Sequence, residues 1–489
     1  YDALSMNTSG GQNVALGYNA LVYNQVGSSN VAIGEATMYR VGCTGSGGVY
    51  NTGVGPGAGR GITTGSYNTM LGYNAGYCLA GGSLNFFGGY LAGKCAEDSG
   101  CNIFIGMYAG KCVTSGHTNV AIGKNALRSS TLTGHYNVAL GCATGQDITS
   151  GQRNVLLGHG AGYSMTTGSD NIFAGCYAGG GSAVLTGSDN IAMGRMAGTA
   201  MTSAGCNVLL GHEAGQAMDT GVGNVFAGQS AGKSVTSGGC NVALGMQAAC
   251  CITTGCFNIA LGQYTFAKCA VTGNQNIAIG RYAASKITSG EYNIAIGRNA
   301  MGDCSITTGA NNIAIGCNSG KCITDATCNV FIGDNAGGQI QSGACSVSIG
   351  TRSLLSVTTG HYNVVMGYEA ALSMASNSAC NVVIGACAGK GSGDAGCDNV
   401  FVGAQSGLLN DGSKNTFLGF CAGNTNTTGD ANVAIGYNVE LASATGNTQL
   451  AIGCGTSNWI TGDSSFNVCL AGSTIKAMAS GTMCATCFV

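Results

Sequence analysis

Cysteine has the widest chemistry of any residue in this chain, because thiols form disulfides, bind soft metals and act as nucleophiles. The chain contains 26 cysteines. Two sets recur at a 17-residue interval and predict stacked thiols: Cys78, Cys95 and Cys112, and Cys328 and Cys345. Stacking at the strand spacing of ~4.8 Å would place each set within the Cα range of a disulfide. The spacing is compatible with inter-coil disulfides and equally with free structural thiols.

A metal site has only one weak signal in the sequence. The stretch CATC, from Cys484 to Cys487, has the spacing of half a zinc site, but neither a second pair nor a histidine accompanies it. We therefore expect no metal and no cofactor.

Histidines and carboxylates form no catalytic pattern. His117, His135 and His361 each follow a Ser-Gly or Thr-Gly corner, so a place in a turn explains them. The acidic residues are too scattered to supply a carboxylate pair, and no nucleophile, base and orienting group recur together. The sequence predicts a protein that is not an enzyme.

Threonine pairs in the recurring word TTG suggest one further function, because ice-binding solenoids carry regular rows of Thr. Adjacent residues of a strand point to opposite sides, and these pairs precede a corner glycine. We expect them to be turn residues that hydrogen-bond local backbone, and ice binding is the less favoured alternative. The pairs are Thr63-Thr64, Thr166-Thr167, Thr253-Thr254, Thr307-Thr308 and Thr358-Thr359.

A repeat of about 17 residues positions all of these side chains. Each unit reads approximately N-[VI]-[AF]-[IL]-G, followed by a shorter apolar patch and a second glycine. Aligning on the first residue gives 27 units between Asn13 and the end of the chain. The β-branched residues bounded by Asn and Gly predict a strand, and the shorter patch predicts a second one.

Units this small cannot bury an apolar face alone, so they must stack on one another. The sequence thus predicts an all-β protein, a parallel β-solenoid of about 27 coils. Residues 1–12 would form an N-terminal segment or cap, 13–466 the repetitive rod, and 467–489 the last coil with a cap or junction. Stacked Asn side chains would hydrogen-bond one another and cap the strands. This structural Asn column includes Asn241, Asn258, Asn276, Asn293, Asn312 and Asn329.

Composition excludes several classes. Among 489 residues there are 87 glycines, one proline and 8% charged residues, with 45% hydrophobic residues and a net charge of −2. Disordered chains and collagen do not have this composition. The near-neutral balance gives no field for nucleic acid, and no apolar run reaches the ~20 residues of a membrane helix.

The alternation within each strand predicts which side chains face a partner. The first and third residues after Asn are nearly always Val, Ile, Leu or Met, and we expect them inside the coil. The second would then face outward, although it is Ala or a larger apolar residue. This proposed interface column includes Phe87, Phe104, Phe173, Phe226, Phe331, Phe401 and Phe417. Such a column predicts a homo-oligomer, whereas a triangular coil with a wider interior would accommodate both faces alone.

The words NVAIG at Asn432, NIAIG at Asn276 and TTGSYN at Thr63 resemble the head repeats of trimeric autotransporter adhesins and related repeats of phage and viral tail fibres. The resemblance implies a left-handed parallel β-roll, three associated chains and a role in attachment. The 17-residue period is longer than the adhesin head repeat, and no coiled-coil stalk or anchor barrel follows.

From these features we expect a stiff structural or adhesive fibre protein, extracellular or on a virion surface. Its partner would be itself, as a trimer or a filament, with a host-surface receptor or glycan as a further candidate. A subunit that polymerises end to end into an extracellular filament is the alternative.

Overall fold

The computed structural model describes residues 1–471 except 46, 130, 182, 303–305, 392–395 and 466. The described residues form β-strands, turns and isolated bridges, and none of them forms a helix that could cross a bilayer. The chain divides into two compact units, Tyr1–Gln275 and Asn276–Val489. Stacked coils build both units, and together they amount to about 25 turns of a parallel β-solenoid.

The first unit is a stack of parallel three-residue strands, each paired in register with the next along the chain. Its strands are β1 (Val14–Leu16), β2 (Val31–Ile33), β3 (Thr52–Val54), β4 (Thr69–Leu71), β5 (Phe86–Gly88), β6 (Ile103–Ile105), β7 (Val120–Ile122), β8 (Val138–Leu140), β9 (Val155–Leu157), β10 (Ile172–Ala174), β11 (Ile191–Met193), β12 (Val208–Leu210), β13 (Val225–Ala227), β14 (Val242–Leu244) and β15 (Ile259–Leu261). Before β1, the amides of Leu4 and Met6 donate to the carbonyls of Ala20 and Val22, so residues 1–12 continue the stacking.

The second unit continues the same pattern and then changes direction. Its strands are β16 (Ile277–Ile279), β17 (Ile294–Ile296), β18 (Ile313–Ile315), β19 (Val330–Ile332), β20 (Val347–Ile349), β21 (Val364–Met366), β22 (Val382–Ile384), β23 (Val400–Val402), β24 (Thr416–Leu418), β25 (Val433–Tyr437), β26 (Leu450–Cys454), β27 (Ser457–Gly462) and β28 (Val468–Leu470). The strands β16 to β26 pair in parallel with their neighbours. After Cys454 the chain reverses, because β27 pairs antiparallel with β26 and β28 antiparallel with β27.

The all-β parallel solenoid is confirmed, but two of its predicted details are wrong. The unit predicted to begin at Asn467 is the third strand of the antiparallel end and not a coil. In the described parallel coils the second patch forms no strand, only isolated bridges in some coils, while the patch Ile460-Thr461 of the unit at Gln449 lies in the antiparallel strand β27. One apolar residue followed by a Thr-Gly or Ser-Gly corner is too short for a continuous ladder.

Units longer than 17 residues keep the isolated bridge of the second patch. Val113 bridges to Leu132, and Met165 bridges to Leu185. The coils that hold Leu132 and Leu185 are longer than 17 residues, and their extra residues precede the bridging position. The corner therefore absorbs added length while the register of the strands is preserved.

The strand faces are the reverse of those predicted. In the strands of the stack, the middle residue is buried and the residues on either side are partly exposed. All seven Phe of the proposed interface column lie inside their own coil at 0–1% exposure: Phe87, Phe104, Phe173, Phe226, Phe331, Phe401 and Phe417. They are covered within one chain, so an interface role for this column is wrong. The coil is too narrow to take two β-branched side chains from one strand, and it takes the single middle one.

The narrow interior is filled by exchanging volume between two positions of the same coil. Each of the seven Phe is followed six residues later by a glycine with positive φ. A Cβ on Gly232 would lie 2.3 Å from the ring of Phe226, so only glycine fits there. Where the strand carries Ala121, the later position is Leu127, and both are fully buried. In these coils a large residue at one position is matched by a small one at the other, as close packing requires. In coils with two small residues, such as Ala192 and Gly198, neighbouring side chains fill the space, because Met201 and Leu209 lie against Gly198.

This exchange predicts the outcome of a volume swap. Phe226→Ala leaves a cavity and costs ~3–5 kcal/mol, while Gly232→Leu in the presence of Phe226 overpacks the coil. The double variant F226A/G232L reproduces the arrangement of Ala121 and Leu127, and we expect it to recover most of the lost stability. The stability of all three variants is compared through their melting temperatures and through hydrogen exchange in the coil that contains residues 226 and 232. Additive losses in the double variant would contradict the volume exchange.

Candidate interaction face

A ladder of buried Asn side chains fixes the start of each strand. The Oδ1 atom of Asn276 accepts hydrogen bonds from the backbone N of Asn293 at 3.0 Å and from its Nδ2 at 3.1 Å. The Nδ2 of Asn293 also donates to the carbonyl of Gly309, a corner of the next coil, at 2.9 Å. Each Asn therefore joins two coils and a corner.

All six residues predicted for the Asn column lie in such a ladder and are fully buried. In the first unit, Asn258 donates from its backbone N and its Nδ2 to Oδ1 of Asn241. In the second unit, Asn312 and Asn329 repeat the bonds of Asn293. The side chains stack as the sequence predicts, and their second acceptor is the corner carbonyl.

A glycine column closes the other end of the strand. Gly297 has a φ of 127°, and a Cβ there would lie 2.5 Å from the carbonyl oxygen of Gly316 in the next coil. Only glycine combines this backbone conformation with so close an approach. Between this column and the Asn ladder, the strand can present only its first and third side chains to the outside.

These outer side chains form an apolar face on each unit. Ile103 and Ile122 are each 40% exposed, although they lie in the middle of a sheet. None of the outer residues of β1 to β26 is charged; apart from three Thr, one Gly and two Ala, all are Val, Ile, Leu, Met or Phe. Over the first unit the face is ~65 Å long and ~10 Å wide by strand spacing and rise. It exceeds the patch of a few hundred Å² that soluble monomers usually expose.

Aromatic residues border this face on both sides. Tyr50 and Tyr67, which precede the Asn positions, stack with ring centroids 5.0 Å apart. Tyr73 and Tyr90, which follow the glycine column, stack at 5.3 Å. Exposed aromatic side chains around an uncharged centre are typical of protein interfaces.

Charged side chains are absent from the strands β1 to β26, although Arg153 and Asp170 lie in the border column that precedes Asn, and several charged side chains pair between coils. The Glu369 carboxylate contacts Arg352 Nη1 at 2.7 Å and Lys390 Nζ at 3.0 Å. The hydrogen bond from Lys390 lowers the pKa of Glu369. Arg153 and Asp170 form a similar pair at 2.6 Å in the first unit. The exposed pair of Arg153 and Asp170 contributes little to stability, whereas the Glu369 carboxylate is largely buried.

The predicted thiol stacks are free thiols. Cys78, Cys95 and Cys112 are half-buried, and Cys328 and Cys345 are exposed. Burial raises the pKa of the Cys78 and Cys112 thiols, and the neighbouring Cys95 raises both further. Elsewhere Cys322 is disulfide-bonded.

Metal ligands do not converge in the described part of the chain, where no group of three or more His, Cys, Asp or Glu could hold an ion. Cys484 and Cys487 lie outside the described residues.

Histidines and threonines of the corners bond to backbone. The Nδ1 atom of His117 accepts the amide of Gly100 at 2.9 Å, and His361 accepts that of Ala344 in the same way. Where the Thr hydroxyls of these pairs donate, the acceptor is a carbonyl of the next coil and not local backbone as predicted; Thr253 donates to Val271 at 3.3 Å. The donors are Thr63, Thr166, Thr253, Thr307, Thr308, Thr358 and Thr359. Neither residue type presents a free reactive row.

The Asn ladder predicts a local loss of stability on substitution. Asn293→Leu removes the acceptor of the Asn312 amides and the donor to Gly309. The free energy of unfolding should fall by ~1–3 kcal/mol for each buried group left unpaired. We expect faster hydrogen exchange in β17 and β18. The exposed Asn311→Gly keeps its left-handed backbone and is the control. Equal exchange in both variants would contradict the ladder.

One coil offers the opposite test, because Ser346 replaces Asn in the ladder. Its hydroxyl accepts the amide of Asn363 at 3.2 Å, but Ser has no second donor for the corner carbonyl. Ser346→Asn supplies that donor, and we expect a gain of ~0.5–1.5 kcal/mol. Hydrogen exchange in β20 and β21 measures this gain in stability and should become slower. Unchanged or faster exchange would contradict the prediction.

In comparisons with known proteins, the chain matches no protein-family model and no curated protein. Its stacked parallel coils are compatible with β-roll repeats.

Proposed function

We propose that this chain is a non-enzymatic structural or adhesive fibre protein of a virion or cell surface, and that copies of it associate through the apolar face. The observation that carries the proposal is the uncharged outer row of Val, Ile and Leu along each unit. A second copy is the partner that matches this row best, because it has the same coil spacing and the same lack of charge.

The size of the face supports a stable association. Two copies in contact along the first unit alone would bury ~1,300 Å² in total, which is the standard size of a specific interface. The aromatic borders would then form the rim. A trimer is favoured, as the resemblance to trimeric adhesin heads implies.

Stiffness is the property that a spacer or attachment fibre needs, and several ladders supply it. Each coil is joined to the next by its strand, its Asn side chain and, in many coils, its Thr hydroxyl. Lys and Arg total only 18 residues, so trypsin-like proteases find few sites. An adhesive role requires a host-surface receptor or glycan bound outside the apolar face.

End-to-end polymerisation is the alternative function. It needs an open strand edge at each end of the stack, and β27 already pairs with the edge of β26. This pairing favours the spacer over the filament.

The mass of the purified chain in solution tests the proposal. We expect the wild type to have the mass of three chains in light scattering and to resist protease. The double variant I105K/I122K places two charges on the face, at partly exposed positions that tolerate them in the monomer, and we expect a monomer.

Thr254→Lys, at an exposed corner away from the face, is the matched control and should keep the mass of the wild type. A wild-type monomer at high concentration, or equal masses for the face variant and the wild type, would overturn the association. A mass that grows without limit with concentration would favour the filament.

A further inference from the structure

A pair of adjacent thiols lies in the coil that follows β14. Cys250-Cys251 is the only Cys-Cys dipeptide in the chain. The two Sγ atoms are 3.6 Å apart, and both residues are half-buried, so the pair is accessible from solvent. Both sulfurs also lie near the carbonyl oxygen of Ala267, Cys251 at 3.1 Å and Cys250 at 3.8 Å.

This arrangement departs from extended backbone, in which adjacent side chains point to opposite sides. Ala249 has a φ of 53°, and this left-handed residue turns the chain just before the pair. The next coil holds the pair in place through its backbone, since the amide of Cys251 donates to the carbonyl of Phe266 at 3.4 Å. The two thiols are therefore brought together by the corner of the coil.

The electrostatics of the pair favour a reactive sulfur. The hydrogen bond from Cys250 lowers the pKa of the Cys251 thiol to about 7 and raises that of Cys250. One thiol ionises near neutral pH while its neighbour keeps a proton. Thiolates are the form in which cysteine attacks electrophiles and ligates soft metals.

We propose that Cys250 and Cys251 form a bidentate site for a thiophilic centre, with a trivalent organoarsenical as the best-fitting class of ligand. Two sulfurs bound at ~2.3 Å to one pyramidal centre with an angle of ~100° lie ~3.5 Å apart, close to the 3.6 Å between these sulfurs. No third His, Cys, Asp or Glu of the described residues completes a metal site here. A centre that needs only two protein ligands therefore fits better than zinc.

The step is a ligand exchange without oxidation. An aryl arsenoxide reacts with the two thiols so that two As–S bonds form and the bonds between arsenic and oxygen break. The oxygen leaves with both thiol protons as water, and arsenic remains trivalent. The site is independent of the proposed fibre function, because it lies at a corner and not on the apolar face.

Stacked thiols on consecutive coils are the competing sites for this ligand, and they include Cys95 with its neighbours Cys78 and Cys112. Cys328 and Cys345 belong to consecutive coils and are both exposed. They serve as the comparison pair, since they offer two exposed thiols on consecutive coils and not on adjacent residues.

Phenylarsine oxide, added at one molar equivalent to the reduced full-length chain, tests the site. We expect one phenylarsenic group, mapped by mass spectrometry to the peptide that contains Cys250 and Cys251. In C250S and C251S the occupancy should fall by about tenfold or more, because the second As–S bond is intramolecular in the wild type. In C345S it should equal that of the wild type.

An adduct spread over other cysteines of the wild type, or equal occupancy in C250S, C251S and C345S, would overturn the proposal. If a serine variant fails to fold, the peptide map of the wild type decides the question by itself. Failure of the arsenical to bind leaves the mass of the assembly unchanged, so the two proposals fail separately.

Discussion

The structure depends on how little space a 17-residue coil encloses. The strand places one side chain inside, and where that side chain is Phe, the position six residues later is glycine. Phe104 with Gly110 and Ala121 with Leu127 are two solutions to the same volume, in neighbouring coils. Because the middle residue of the strand fills the inside of the coil, the side chains of the first and third residues point outward. The apolar face is thus a consequence of coil size.

Close stacking imposes the second condition. Coils that lie one strand spacing apart leave no room for a side chain where the glycine column passes, as at Gly297. The same closeness lets Asn276 reach both amides of Asn293. The short distance between coils therefore explains both columns: glycine leaves room for the neighbouring backbone, and the Asn side chain spans from one coil to the next.

Much of the coil could be predicted from the sequence, and the parts that could not have physical reasons. The β-branched words and the glycines specify strands and corners, and the repeat specifies stacking. The orientation of the strand could not be read from hydrophobicity, because all three of its residues are apolar. A size signal was present, since Phe226 and the other strand Phe residues are each followed six residues later by glycine. The antiparallel end was missed because Asn467 begins a word that resembles the others, while pairing direction depends on the turn before it.

The corner between the strand glycine and the bridging residue, such as Leu132 or Leu185, tolerates insertions, and this affects how such a chain can evolve. Leu132 and Leu185 keep their bridges although extra residues precede them. Insertions at this corner leave the ladders, the packed interior and the apolar face unaltered. A lineage could therefore vary the loops displayed along the solenoid, one coil at a time, while its assembly surface stayed constant, and an engineer could graft a peptide at the same corner.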